Sequence, residues 1–144
     1  MSRLYPLGCA FALLLLATAA HAQDAELNDV RATVPGIHTV QSGGFWDTRQ
    51  QEGFYRVVVT SGGFEHVIAR LFVQWITTDQ DTREYKVVRT VAVKEVGIAS
   101  VIVPAVKFVT GSGPATIDLT ISRRDGKREK RTVIAQPDGR YSFR

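Results

Sequence analysis

The chain has 144 residues, with 18 Lys and Arg against 14 Asp and Glu, 44% hydrophobic residues, three His and one Cys. The cysteine, Cys9, falls in the N-terminal stretch. Without it the rest of the chain has no disulfide, no thiol nucleophile and no thiolate metal site.

The first residues read as a secretory leader. Arg3 supplies a positive charge, Leu7 to Ala20 form an apolar run, and Ala20-His21-Ala22 make a small-x-small exit, which predicts cleavage after Ala22. The apolar run is shorter than the roughly 20 residues a spanning helix needs, and no later run approaches that length. Cys9 comes before most of the apolar stretch, whereas a lipid-modified cysteine should follow it. The expectation is therefore an exported periplasmic or secreted bacterial protein, with residues 1–22 a signal peptide, 23–36 a flexible lead-in and 37–144 one domain. A chain of about 120 residues can bury roughly two thirds of its unfolded surface, enough to fold without disulfides.

Beyond the lead-in, turn signals recur at short intervals: Ser42-Gly43-Gly44, Gln51-Glu52-Gly53, Ser61-Gly62-Gly63, Asp79 to Thr82, Gly97, Gly111 to Pro114, Asp125-Gly126 and Pro137-Asp138-Gly139. Between them lie β-branched and aromatic runs at Phe54 to Thr60, Val67 to Thr77, Tyr85 to Val96, Ser100 to Val109, Thr116 to Ser122, Thr132 to Ala135 and Tyr141 to Phe143, with a weaker one at Ile37 to Gln41. Such spacing predicts an all-β, antiparallel two-sheet sandwich of seven or eight strands, immunoglobulin-like in architecture.

Individual runs refine this expectation. Ile117, Leu119 and Ile121 alternate with Asp118, Thr120 and Ser122, so one face is buried and one wet. In Tyr85 to Val96, the same rule groups Tyr85, Val87, Arg89, Val91 and Val93 on one side. Glu65 to Ile76 also fits a helical period. Its Val and Ile content and the preceding Gly-Gly favour a strand, with Val67, Ala69, Leu71, Val73 and Trp75 facing inward. Asp125-Gly126 signals a hairpin, and a three-residue loop closed by a bulge pairs Leu119 with Val133 and Ile117 with Ala135. The repeated Ser-Gly-Gly-Phe at 42–45 and 61–64 has unrelated flanks and reads as two similar turns.

Chemistry-bearing residues are scarce. His38 and His66 lie on different predicted strands and have no thiol partners, so no metal site is expected. Gly111-Ser112-Gly113-Pro114 lacks the spacing of a nucleophile elbow and reads as a loop. Asp79/Asp81 and Asp24/Glu26 lack the glycine and distal glutamate of a calcium loop. Glu65 and His66 are adjacent on a strand and would point to opposite faces. No cofactor and no catalytic residue are expected.

Two binding patches stand out. From Arg123 onward, eight Arg or Lys face three Asp or Glu, with Arg123, Arg124, Lys127, Arg128, Lys130 and Arg131 gathered around one turn. Such a cluster attracts anionic lipid or acidic glycan outside the cell, rather than nucleic acid. Phe45-Trp46 and Phe54-Tyr55 flank another turn, and Phe45, Trp46 and Tyr55 would form an aromatic binding patch if exposed. The functional expectation is a non-enzymatic binding or adaptor module of the bacterial envelope, contacting an envelope protein or an anionic surface. The alternatives are a carrier of small apolar ligands in a β-barrel cavity, and an envelope hydrolase.

Overall fold

The computed structural model describes residues 35–63 and 65–144. The expected leader and cleavage site, Cys9, the Asp24/Glu26 pair, most of the expected lead-in, and Phe64 lie outside the described residues. The unit from Pro35 to Arg144 is built from eight strands. They are β1 (Ile37–Asp47), β2 (Glu52–Gly62), β3 (Ile68–Thr78), β4 (Tyr85–Ala92), β5 (Val101–Phe108), β6 (Ala115–Ser122), β7 (Arg128–Ala135) and β8 (Tyr141–Phe143).

The strands form two four-stranded sheets, ordered β1-β2-β3-β4 and β5-β6-β7-β8, antiparallel throughout. Each sheet is a meander of sequence neighbours. That connectivity differs from the Greek-key exchange of strands between sheets in immunoglobulin domains.

Alternation decides which side of each strand is buried. In β6, Ala115, Ile117, Leu119 and Ile121 are buried, while Thr116, Asp118, Thr120 and Ser122 are half-exposed. Tyr55, Val57 and Val59 of β2 and Ala69, Leu71, Val73 and Trp75 of β3 do the same from the other sheet. These residues join in one core, so the sheets meet face to face in a sandwich-like arrangement. Fully burying each large side chain is worth about 1.5–3 kcal/mol.

The polar tips carried into this core find partners. Trp75 Nε1–H donates to the Gln136 carbonyl at 2.8 Å, Trp46 Nε1–H to the Phe54 carbonyl at 2.9 Å, and the Tyr55 hydroxyl to the Gly113 carbonyl at 2.8 Å. The Tyr55 and Trp75 rings meet edge to face with centroids 6.0 Å apart. No buried side-chain nitrogen or oxygen among the described residues lacks a partner. An unpaired one would cost about 1–3 kcal/mol.

Residues 68–76 are strand, as the β-branched content implied, although Val67 is exposed and precedes it. Four other expectations are corrected. First, the chain does not break at Ser42-Gly43-Gly44. β1 runs on to Asp47 through a register shift, with the Phe108 ring lying where the β-carbons of residues 43 and 44 would stand. Second, β4 stops at Ala92, and a single 3-10 turn covers Lys94–Val96.

Third, the alternation expected along residues 85–96 fails at a register shift in β4. Arg89 pairs with the inward Trp75, but Val87 pairs with the outward Ile76, so Val88 is the extra residue. Tyr85 and Val87 therefore lie outside, and Tyr85 packs edge-on to Phe54 at 5.3 Å, on the face that also carries Ile76. Fourth, the β6–β7 hairpin has its three-residue loop, but at Arg124-Asp125-Gly126, which pairs Leu119 with Arg131 and Ile117 with Val133. Gly126 adopts φ +82°, and its N–H reaches the Arg123 carbonyl while Arg123 N–H reaches the Lys127 carbonyl. A type I turn closed by a left-handed residue needs glycine at its third loop position, and that requirement outweighs apolar pairing.

Candidate functional site

Strand register places the basic residues. Buried Ile102 and Ile121 share a cross-strand row with Glu129, so that row faces inward. The neighbouring rows face outward. Val101, Ser122 and Arg128 form one, Val103, Thr120 and Lys130 the next, and Ala105, Asp118 and Thr132 a third. Arg144 and Thr132 exchange backbone hydrogen bonds at 2.9 and 3.0 Å, which adds Arg144 to the third row. Lys107 and Ile134 flank Thr116 in a fourth.

The outer face of the second sheet thus presents Arg128, Lys130, Arg144 and Lys107 over a bed of Ser and Thr hydroxyls. Asp118 is its one acid among the described strand residues. Lys107 and Thr132 both donate to that carboxylate and hold it below the ordinary Asp range. The field of the face is therefore positive, and the exposed tip residues Arg124 and Lys127 extend it, with Lys127 3.2 Å from Asp125.

The six basic residues expected to act together divide into two groups. Arg123 turns away from the face and is half-buried. Its guanidinium donates to the Val96 carbonyl at 2.6 Å, to the Ile98 carbonyl at 2.8 Å, and to Glu129. Arg131 shares that inward side and pairs with the second Glu129 oxygen at 2.8 Å. Arg123 fastens the 3-10 turn to the hairpin and Arg131, itself partly exposed, braces the Glu129 carboxylate, which leaves Arg124, Lys127, Arg128 and Lys130 for the outer face. The Tyr141 hydroxyl makes a further tie to Glu95 at 2.7 Å.

The aromatic patch is corrected more fully. Trp46 is 2% exposed and Tyr55 0%, so both belong to the core, and only Phe45 of the three stands out at 66%. The cause is the long β1. It carries Trp46 over Gly53 and under the sheet, while Phe45 bridges to Ser112 in the β5–β6 loop.

The remaining residues singled out by type do not converge. His38 is exposed on β1, and His66 and Glu65 are exposed in the loop before β3. Asp79 accepts backbone N–H bonds from Thr82 and Asp81 at 3.0 Å, which lower its carboxyl below the ordinary range and shape the β3–β4 turn. Gly111 to Pro114 is the β5–β6 connection. Among the described residues no three His, Cys, Asp or Glu gather as a metal cluster, and no helix is long and apolar enough to cross a membrane.

Three hollows of about 670, 360 and 310 Å³ adjoin at the opposite end of the sheets, around the β1–β2 turn. The largest sets Asp47, Glu52 and Asp79 against Lys86 in a mixed-charge rim. The space between the sheets, where a carrier would hold an apolar ligand, is filled by Trp75, Tyr55, Leu71, Ile117 and Leu119.

Sequence reasoning missed Lys107, Arg144, Val101 and Val103 as members of the cationic face. The signal was present in the wet side of β6, since any register of the same parity puts Arg128 and Lys130 on the face of Ser122 and Thr120. Compared with known family models, with curated proteins and with solved structures, the chain matches none.

Proposed function

We propose that this chain is a non-enzymatic binding module of the bacterial cell envelope, exported by its N-terminal leader, that engages an anionic surface through the outer face of β5–β8. The observation that carries the reading is the outward pairing of Arg128 with Ser122 and of Lys130 with Thr120. These cations point to solvent in register, with hydroxyl donors beside them. Phosphate, sulfate and carboxylate groups are bound by such sets, because the cations supply charge and the hydroxyls add hydrogen bonds without competing anions. Lipid headgroups and acidic glycans of the envelope share that chemistry.

Near an anionic surface each Lys or Arg contributes about 1 kcal/mol, so losing two weakens binding about thirtyfold. The test compares the wild-type protein with Arg128→Glu/Lys130→Glu on heparin and on phosphatidylglycerol vesicles at low salt. At least that loss is expected on whichever polyanion binds, together with weakening of the wild-type protein as salt rises. Binding equal to wild type in the double variant, or no binding of the wild-type protein to either, refutes the reading.

A further inference from the structure

The cationic face has an apolar margin that a soluble polyanion would not use. β5 is the end strand of its sheet, and its outward residues Val101 and Val103 are 44% and 56% exposed. Each stands in a cross-strand row with a hydroxyl and then a cation: Val101, Ser122, Arg128, and Val103, Thr120, Lys130. Apolar, hydroxyl and cationic groups therefore follow one another across β5, β6 and β7, on a backbone held by paired strands. Single exposed valines are ordinary. A graded row of this kind matches the layering of a bilayer surface, where apolar groups enter the acyl boundary and cations stay at phosphate level.

We propose that the anionic surface met by this face is a phospholipid bilayer, with Val101 and Val103 entering the interface while Arg128, Lys130 and Arg124 contact lipid phosphates. The proposal rests on the cationic-face reading and adds a hydrophobic component to it. The charge complementarity is direct, since Asp118 is the single outward acid among the described residues of these strands and is engaged by Lys107 and Thr132. A sulfated or uronic glycan would need the cations and hydroxyls alone.

The test uses the full protein, phosphatidylglycerol-containing vesicles and heparin. Val101→Ser/Val103→Ser is expected to bind vesicles on the order of tenfold more weakly, from the apolar area no longer transferred. Its heparin affinity should equal that of the wild-type protein. A second variant, Val103→Trp, reports insertion directly by a blue shift of its tryptophan emission on adding vesicles. Unchanged vesicle affinity in the serine variant, no shift in the tryptophan variant, or wild-type binding to heparin but not to vesicles overturns the bilayer proposal. The last result leaves the cationic face standing as a glycan site. Loss of neither probe in Arg128→Glu/Lys130→Glu would instead remove the cationic-face reading itself.

Discussion

Arg123→Met separates the two roles that neighbouring arginines play in one hairpin. The substitution keeps an apolar stem of similar length and removes the guanidinium that holds the carbonyls of Val96 and Ile98 and the Glu129 carboxylate. A hydrogen bond involving a charged partner contributes about 1.5–3 kcal/mol net. The bonds here share one cation, and the Arg123 and Glu129 side chains are 29% and 26% exposed, so water replaces part of what is lost. The expected cost is about 2–3 kcal/mol, below the sum of the separate bonds. At roughly 4 °C per kcal/mol for a domain of this size, the melting temperature falls by about 8–12 °C. Arg128→Gln, on the open face at the first residue of β7, should stay within about 0.5 kcal/mol of wild type. The assay is thermal unfolding followed by circular dichroism, with urea titration as a second probe. An Arg123→Met protein that melts with wild type, or an Arg128→Gln protein that melts as low as Arg123→Met, would refute the division of roles.

Two further outcomes follow from the core. A β-carbon on Gly53 would stand 1.8 Å from the Ile76 carbonyl oxygen and 2.9 Å from the Trp46 ring, so Gly53→Ala should cost more than about 3 kcal/mol, read as loss of the cooperative melt, whereas near-wild-type stability would contradict the β2–β3 register. Burial pushes the Tyr55 phenol well above its ordinary value of 10, helped by the nearby Asp138 charge, so the folded state holds its proton more tightly than the unfolded chain. The stability this gives is complete below about pH 10 and declines as pH rises beyond it. Tyr55→Phe should therefore cost about 1 kcal/mol at pH 8, and urea titrations at rising pH should show the variant closing that gap above about pH 10, whereas a constant gap would contradict the buried phenol.

Strand positions are legible because β-branched runs and glycine-rich turns mark them locally, and β6 shows the clearest case, with Ile117, Leu119 and Ile121 buried as alternation implies. What is not legible depends on partners distant in sequence. The extra residue at Val88 is set by pairing with β3, and it turns Val87 outward against the simple alternation. Which of the adjacent aromatics Phe45 and Trp46 faces out is not legible either, because Ser42-Gly43-Gly44 resembles a turn and hides the length of β1. The glycines instead admit the Phe108 ring from β5, and β1 continues past them. The basic cluster is visible as composition, but its split is not: Arg123 and Arg131 pair with Glu129 because it lies in the inward row, and that follows from where Gly126 closes the loop.

The proposed binding surface is the set of outward residues of β5–β7. Amide chemical-shift mapping of the protein during titration with phosphatidylglycerol bicelles tests it most directly. The largest shifts are expected at Val103, Thr120, Ser122, Arg128 and Lys130, with the β1–β2 and β3–β4 turns unmoved. Shifts centred on those turns, or none anywhere at low salt, would contradict it.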